Sequence, residues 1–202
     1  MVQRWEADRQ RIKLALANDA DEPGEGGDGA AREQRGGNRH IGGGAPVGTT
    51  VQRGPKRLLN LLVVSRAFRT STVEIVLPDG SVSPANRFFV NFDSATPELH
   101  AHNYHGFWGI PVASSTWRRD GSKYLNTFAG RDGDKIALNI GQNLIPAVCA
   151  RFRVPNISNL VGKYLLAFGT PYVTNGGQFT LYVRSAAHMA VLDPEGIAGT
   201  PA

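Results

Sequence analysis

Leu99-His100-Ala101-His102-Asn103-Tyr104-His105 is the densest cluster of chemistry-bearing side chains, with three of the five histidines. On a strand, His100 and His102 would point to one face, and two imidazoles on one face can share a metal ion. A cupin-type site also needs a Glu a few residues further on and a fourth ligand from a later strand. No Glu follows closely here, and the only later histidine is His188. The set is incomplete, and no metal is assigned to His100, His102 or His105. The competing reading makes them polar strand or interface positions, where imidazoles that titrate near neutrality form a pH-sensitive contact.

Other chemistries are weaker still. Asp132 and Asp134 flank Gly133, and two close carboxylates can hold calcium between subunits, although a solvated turn is the plainer reading. There is no G-x-S-x-G elbow and no G-x-x-x-x-G-K-[ST] phosphate loop. No residue is therefore assigned a catalytic role, and no cofactor is expected. Cys149 is the only cysteine, which excludes an intrachain disulfide and suits a reducing compartment. It reads as a small buried hydrophobe on a strand.

Basic side chains are the remaining candidates. The chain has a net charge of +5, and its bases are unevenly placed. Residues 1–57 hold ten basic and eight acidic residues, with acids concentrated over 19–28. Arg32, Arg35, Arg39, Arg53, Lys56 and Arg57 then follow with Glu33 as the only acid among them. Such a run suits contact with phosphates and carries no sequence code.

The elements that position these residues divide the chain in two. Residues 1–57 read as a flexible arm. A short helix is expected over 2–17, with Trp5, Ile12 and Leu16 near one face, followed by a Gly-rich tether over 18–49 and a basic hinge. Residues 58–194 read as one all-β domain, and 195–202 as a tail. Strands are expected over 58–68, 72–77, 87–92, 99–112, 124–129, 135–140, 145–154, 164–168 and 178–191. Turn chemistry falls at Pro78-Asp79-Gly80, Asp120-Gly121, Asp132-Gly133-Asp134 and Asn175-Gly176-Gly177. Eight or nine strands joined by some long loops favour a jelly roll over a meander. The aromatics Phe88, Phe89, Tyr104, Phe107, Trp108 and Trp117 divide between core and interface in a way the sequence leaves open. No stretch approaches the roughly 20 apolar residues of a membrane helix, and the first residues lack the apolar core of a secretory signal.

Val161 to Phe168, the Thr174-Asn175-Gly176-Gly177 turn, Gln178 to Arg184 and the run to Leu192-Asp193-Pro194 resemble the last two strands of a viral shell domain. Together with the Gly- and Arg-containing arm, the chain resembles jelly-roll coat proteins of small positive-strand RNA viruses of the sobemovirus and barnavirus type. The resemblance implies an eight-stranded jelly-roll sandwich and a non-enzymatic capsid subunit. That subunit would self-assemble, enclose viral RNA and reside in the virion after synthesis in the host cytoplasm, without a membrane partner. The arm nets only +2, so contacts between bodies would carry most of the assembly. The rival expectations are a cupin-like metal-binding β-barrel and a trimeric β-sandwich recognition module.

Overall fold

The computed structural model describes residues 11–16, 50–129 and 133–196. Among them are thirteen short strands in three mixed sheets, where the sequence reading expects eight strands of a jelly roll. The N-terminal sheet holds β1 (Arg11–Leu14), β2 (Thr50–Arg53), β3 (Glu74–Val76) and β4 (Val82–Pro84), in the order β2-β1-β3-β4. The inner sheet holds β5 (Phe89–Asn91), β6 (His105–Gly109), β10 (Tyr164–Gly169) and β13 (Met189–Leu192), in the order β13-β10-β6-β5. The outer sheet holds β7 (Ala113–Thr116), β8 (Lys123–Asn126), β9 (Ala137–Ile140), β11 (Tyr172–Val173) and β12 (Phe179–Tyr182), in the order β11-β12-β9-β8-β7. Four pairs are parallel: β1 with β2, β1 with β3, β5 with β6, and β9 with β12.

Two bent stretches join the inner and outer sheets. Residues 105–116 give β6 to the inner sheet and β7 to the outer; residues 164–173 give β10 and β11 in the same way. β6 pairs with β10, β11 with β12, β12 with β9, β9 with β8, and β8 with β7. This circuit closes a barrel of five chain segments. The first bend rests on Gly109, whose φ is +147° and where an added Cβ would lie 2.7 Å from the Phe92 ring. A side chain there would meet both backbone strain and a buried aromatic.

The barrel interior is one apolar cluster that includes Phe107, Leu125, Ile136, Leu138, Leu165, Phe179 and Leu181. Helix α5 (Ile145–Phe152) lies between β9 and β10 in sequence and adds Val148 to this cluster. A second cluster covers the other face of the inner sheet. It contains Leu166 and Phe168 of β10, Leu58, Leu59 and Leu62 of helix α1 (Pro55–Val64), and Ile12, Leu14 and Ile75 of the N-terminal sheet. Helices α2 (Arg66–Arg69), α3 (Ala85–Phe88) and α4 (Pro97–His100) are single turns that link these layers. β10 is thus buried on both faces, which explains its nearly unbroken apolar sequence Tyr-Leu-Leu-Ala-Phe-Gly.

Several expected elements need correction. The strand expected over 178–191 is two, β12 in the outer sheet and β13 in the inner one, separated by a turn of 3-10 helix at Ala186–His188. Residues 58–68 form α1 and α2, not a strand. Pro55 opens α1, the apolar positions 58, 59 and 62 share one face, and Arg69 Nη1 donates to the carbonyls of Leu62 (2.6 Å) and Val63 (3.1 Å). This helix also runs across the expected boundary between arm and body. Residues 145–154 are mainly α5, so the half-buried Cys149 lies on a helix and not on a strand. Within the expected helix 2–17, residues 11–14 are a strand. Arg-Ile-Lys-Leu alternates exposed and buried, and pairing on both sides outweighs the helix propensity of the flanking residues. The expected tether at 18–49 lies outside the described residues.

Candidate nucleic-acid interface

The outer sheet turns one set of alternating side chains into the barrel and the other outward. Leu125, Leu138 and Leu181 occupy one inward row, in register across β8, β9 and β12. The next row, Ser115, Tyr124, Asn139 and Tyr182, faces outward across β7, β8, β9 and β12. Tyr172 of β11 stacks on Tyr182, with centroids 4.7 Å apart and planes 10° apart. At the other end Trp117, just beyond β7, tilts against Tyr124 at 6.5 Å. Four aromatic rings therefore span the sheet, and Trp117 is 54% exposed.

Asn139, in the same row, is only 3% exposed, and its amide and the Tyr182 hydroxyl lie close to the Tyr124 hydroxyl. Burial, then the neighbouring Tyr182, pushes the Tyr124 hydroxyl upward, so it remains a neutral donor at neutral pH.

Two loops flank the platform. In the 117–122 loop, Gly121 N–H donates to the Trp117 carbonyl (2.9 Å), and Trp117 N–H donates to the Ser122 carbonyl (2.8 Å). Asp120 accepts from Ser122 N (2.9 Å) and Ser122 Oγ (2.6 Å), and these bonds hold its carboxyl below the usual range. Arg118 and Arg119 between them are exposed. In the 174–178 loop, Gly177 N–H donates to the Thr174 carbonyl (2.8 Å), and Gln178 N–H donates to Thr174 Oγ1 (3.1 Å). Exposed Arg184 follows β12. Flat rings beside a cationic loop can stack bases and hold phosphates.

Of the basic residues singled out in the sequence, Arg53, Lys56 and Arg57 lie elsewhere. Arg53 is half-buried at the end of β2. Lys56 and Arg57 are exposed in the first turn of α1, which holds no acid, so both oppose the positive end of the helix dipole. Arg32, Arg35 and Arg39 lie outside the described residues.

The histidine cluster does not make a metal centre. The segment is not one strand: His100 ends α4, His102 sits exposed in a turn with φ +67°, and His105 opens β6. His102 N–H donates to the Pro171 carbonyl (2.8 Å), and the Thr96 N–H donates to His100 Nδ1 (3.1 Å). The His100 and His105 rings meet edge to face at 5.4 Å. Burial, then His100, pushes the His105 imidazole below its ordinary value, and its Nδ1 is buried without a hydrogen-bond partner. No group of three or more His, Cys, Asp or Glu side chains among the described residues is placed to hold a metal ion. Asp134 is exposed, and Asp132 lies outside the described residues.

No helix among the described residues is long and apolar enough to cross a membrane. No known protein-family profile matches the chain, and no curated protein is similar to it.

Proposed function

We propose that this protein binds single-stranded nucleic acid on the outer face of its barrel. The observation that carries this reading is the row of half-buried Tyr172, Tyr182 and Tyr124 and exposed Trp117 across the outer sheet, bordered by exposed Arg118 and Arg119. The strand circuit, with β9 and β12 parallel and a helix between β9 and β10, supports a barrel of the OB type. Such barrels bind oligonucleotides or oligosaccharides on the equivalent face and flanking loops. Bases stack on Tyr182 and Trp117, while the arginines meet phosphates without reading sequence.

Fluorescence anisotropy with labelled oligo(dT) and oligo(U) at low salt tests it. Binding is expected to fall steeply as salt rises. Trp117→Ala and Tyr182→Ala should each cost about 1–3 kcal/mol of affinity. No binding at low salt, or variants that bind like the parent, overturns the proposal; binding only to oligosaccharides replaces nucleic acid by sugar as the ligand.

A second reading keeps RNA as partner but makes the protein a self-assembling shell subunit with the eight-stranded jelly-roll architecture of viral coats. Exposed Leu99 (70%), Val64 (53%) and Val112 (51%) favour it, as apolar surface that contact between copies would cover. Sedimentation and electron microscopy separate the two. Closed shells support the second reading, and a chain that stays monomeric at all salt and pH conditions removes it.

A further inference from the structure

β1 is the central strand of the N-terminal sheet, yet it is the segment least tied to that sheet by sequence. Its four residues pair in parallel with β2 on one side and with β3 on the other. Ile12 and Leu14 are 7% and 6% exposed and join the cluster built by Leu58, Leu59, Leu62 and Ile75. Arg11 forms an ion pair with Glu74, and Ala15 N–H donates to the Arg53 carbonyl (3.1 Å). Every one of these contacts reaches at least 36 residues along the chain, and the covalent link from β1 to β2 is the 35-residue stretch 15–49. Fully extended, a stretch of that length spans on the order of 110 Å, several times the width of a small sheet. A vacated β1 slot presents two unpaired strand edges and an open apolar floor, and the same slot exists in every copy.

We infer that β1 is an exchangeable strand, and that the occupant of its slot in an oligomer is β1 of a second copy of this chain. Reciprocal exchange keeps every pairing, the Arg11–Glu74 ion pair and the burial of Ile12 and Leu14, and yields a closed two-fold dimer. Exchange therefore costs little in contacts. The balance is set by chain concentration against the effective concentration of the tethered strand, which is on the order of millimolar for a short flexible tether and lower for a longer one. This inference does not depend on the nucleic-acid reading.

Lys13 and Gln52 are register partners, and both are exposed. Two full-length chains, one carrying K13C and the other Q52C, each with Cys149→Ser, are co-refolded at about millimolar concentration and oxidised. A covalent heterodimer, comprising a substantial share of the chains, is the expected result. A chain carrying both substitutions, refolded dilute, should close the same bond within itself. Closure in that control without any heterodimer in the mixture overturns the exchange. If the control bond does not close, isotope-filtered NOEs in a mixture of labelled and unlabelled parent chains decide. Intermolecular Ile12–Ile75 contacts support exchange, and their absence overturns it.

Discussion

The inner and outer sheets share one barrel but use alternation in opposite ways. β10 of the inner sheet sends Leu165 and Ala167 into the barrel and Leu166 and Phe168 into a second apolar layer under α1. β12 of the outer sheet sends Phe179 and Leu181 inward, but its other face carries Tyr182 beside Tyr124 and Tyr172. One sheet is roofed by helix and sheet, whereas the outward row of the other consists of half-buried tyrosines beside a middle strand, β9, whose four residues are all buried. The roofed face uses its apolar area for stability. The outer face keeps part of its ring area exposed, most of all at Trp117, and that exposed area is what a ligand can use.

Substitutions on the two faces should therefore separate stability from binding. Leu166→Ala, under α1, and Leu165→Ala, inside the barrel, should each lower unfolding free energy by about 2–5 kcal/mol in denaturant titrations. Tyr182→Ala on the outer face should cost far less stability while weakening oligonucleotide binding. Equal stability losses at 166 and 182 would erase the contrast. Gly109→Ala strikes the bend that lets β6 serve one sheet and β7 the other. Strain at its positive φ and the contact with Phe92 should cost about 2 kcal/mol or more, read as a drop in Tm.

A smaller effect concerns His105, at the start of β6. Its pKa is depressed in the folded chain, so the unfolded chain binds the proton more readily. Its contribution to stability is then present above the ordinary histidine value of about 6.5 and is lost as pH falls below it. His105→Gln should flatten the acid limb of the stability profile, and an unchanged limb would assign the pH dependence to other groups. The smallest effect is expected at Tyr104, whose hydroxyl is buried without a hydrogen-bond partner. Burial, then the Asp79 carboxylate, pushes it up to about 12. Its contribution is full below the ordinary value near 10 and is lost as pH climbs from there towards 12. Tyr104→Phe removes an unpaired polar group, so stability below pH 10 should change by less than about 0.5 kcal/mol or rise. The tyrosine ionisation near 12 should also vanish from the ultraviolet titration.

The predominance of strands was legible from the alternating segments and turn residues, and 164–168 and the Asn175-Gly176-Gly177 turn fall within or beside the observed elements. The helices were less legible. Leu58 to Val64 is apolar and ends in two valines, and only the spacing of 58, 59 and 62 after Pro55 distinguishes it from a buried strand. β1 was missed because propensity reports a segment alone, whereas Ile12 and Leu14 gain their burial from strands 36 or more residues away. The platform left a fainter trace. Tyr124 and Tyr182 each sit beside a leucine at alternating positions, but their alignment across four strands depends on a register that no local pattern encodes. The strand expected over 99–112 failed at its start for a local reason: the positive φ at His102 breaks the extended run that would align the imidazoles.

The double burial of β10 bears on motion as well as on packing. A strand with no solvent on either side opens only when the whole domain does, so its amides should be among the last to exchange with deuterium. β10 runs directly into β11, which carries Tyr172. The aromatic row is thus anchored at one end to the slowest-exchanging part of the molecule, and a ligand that stacks on it has little protein motion left to quench.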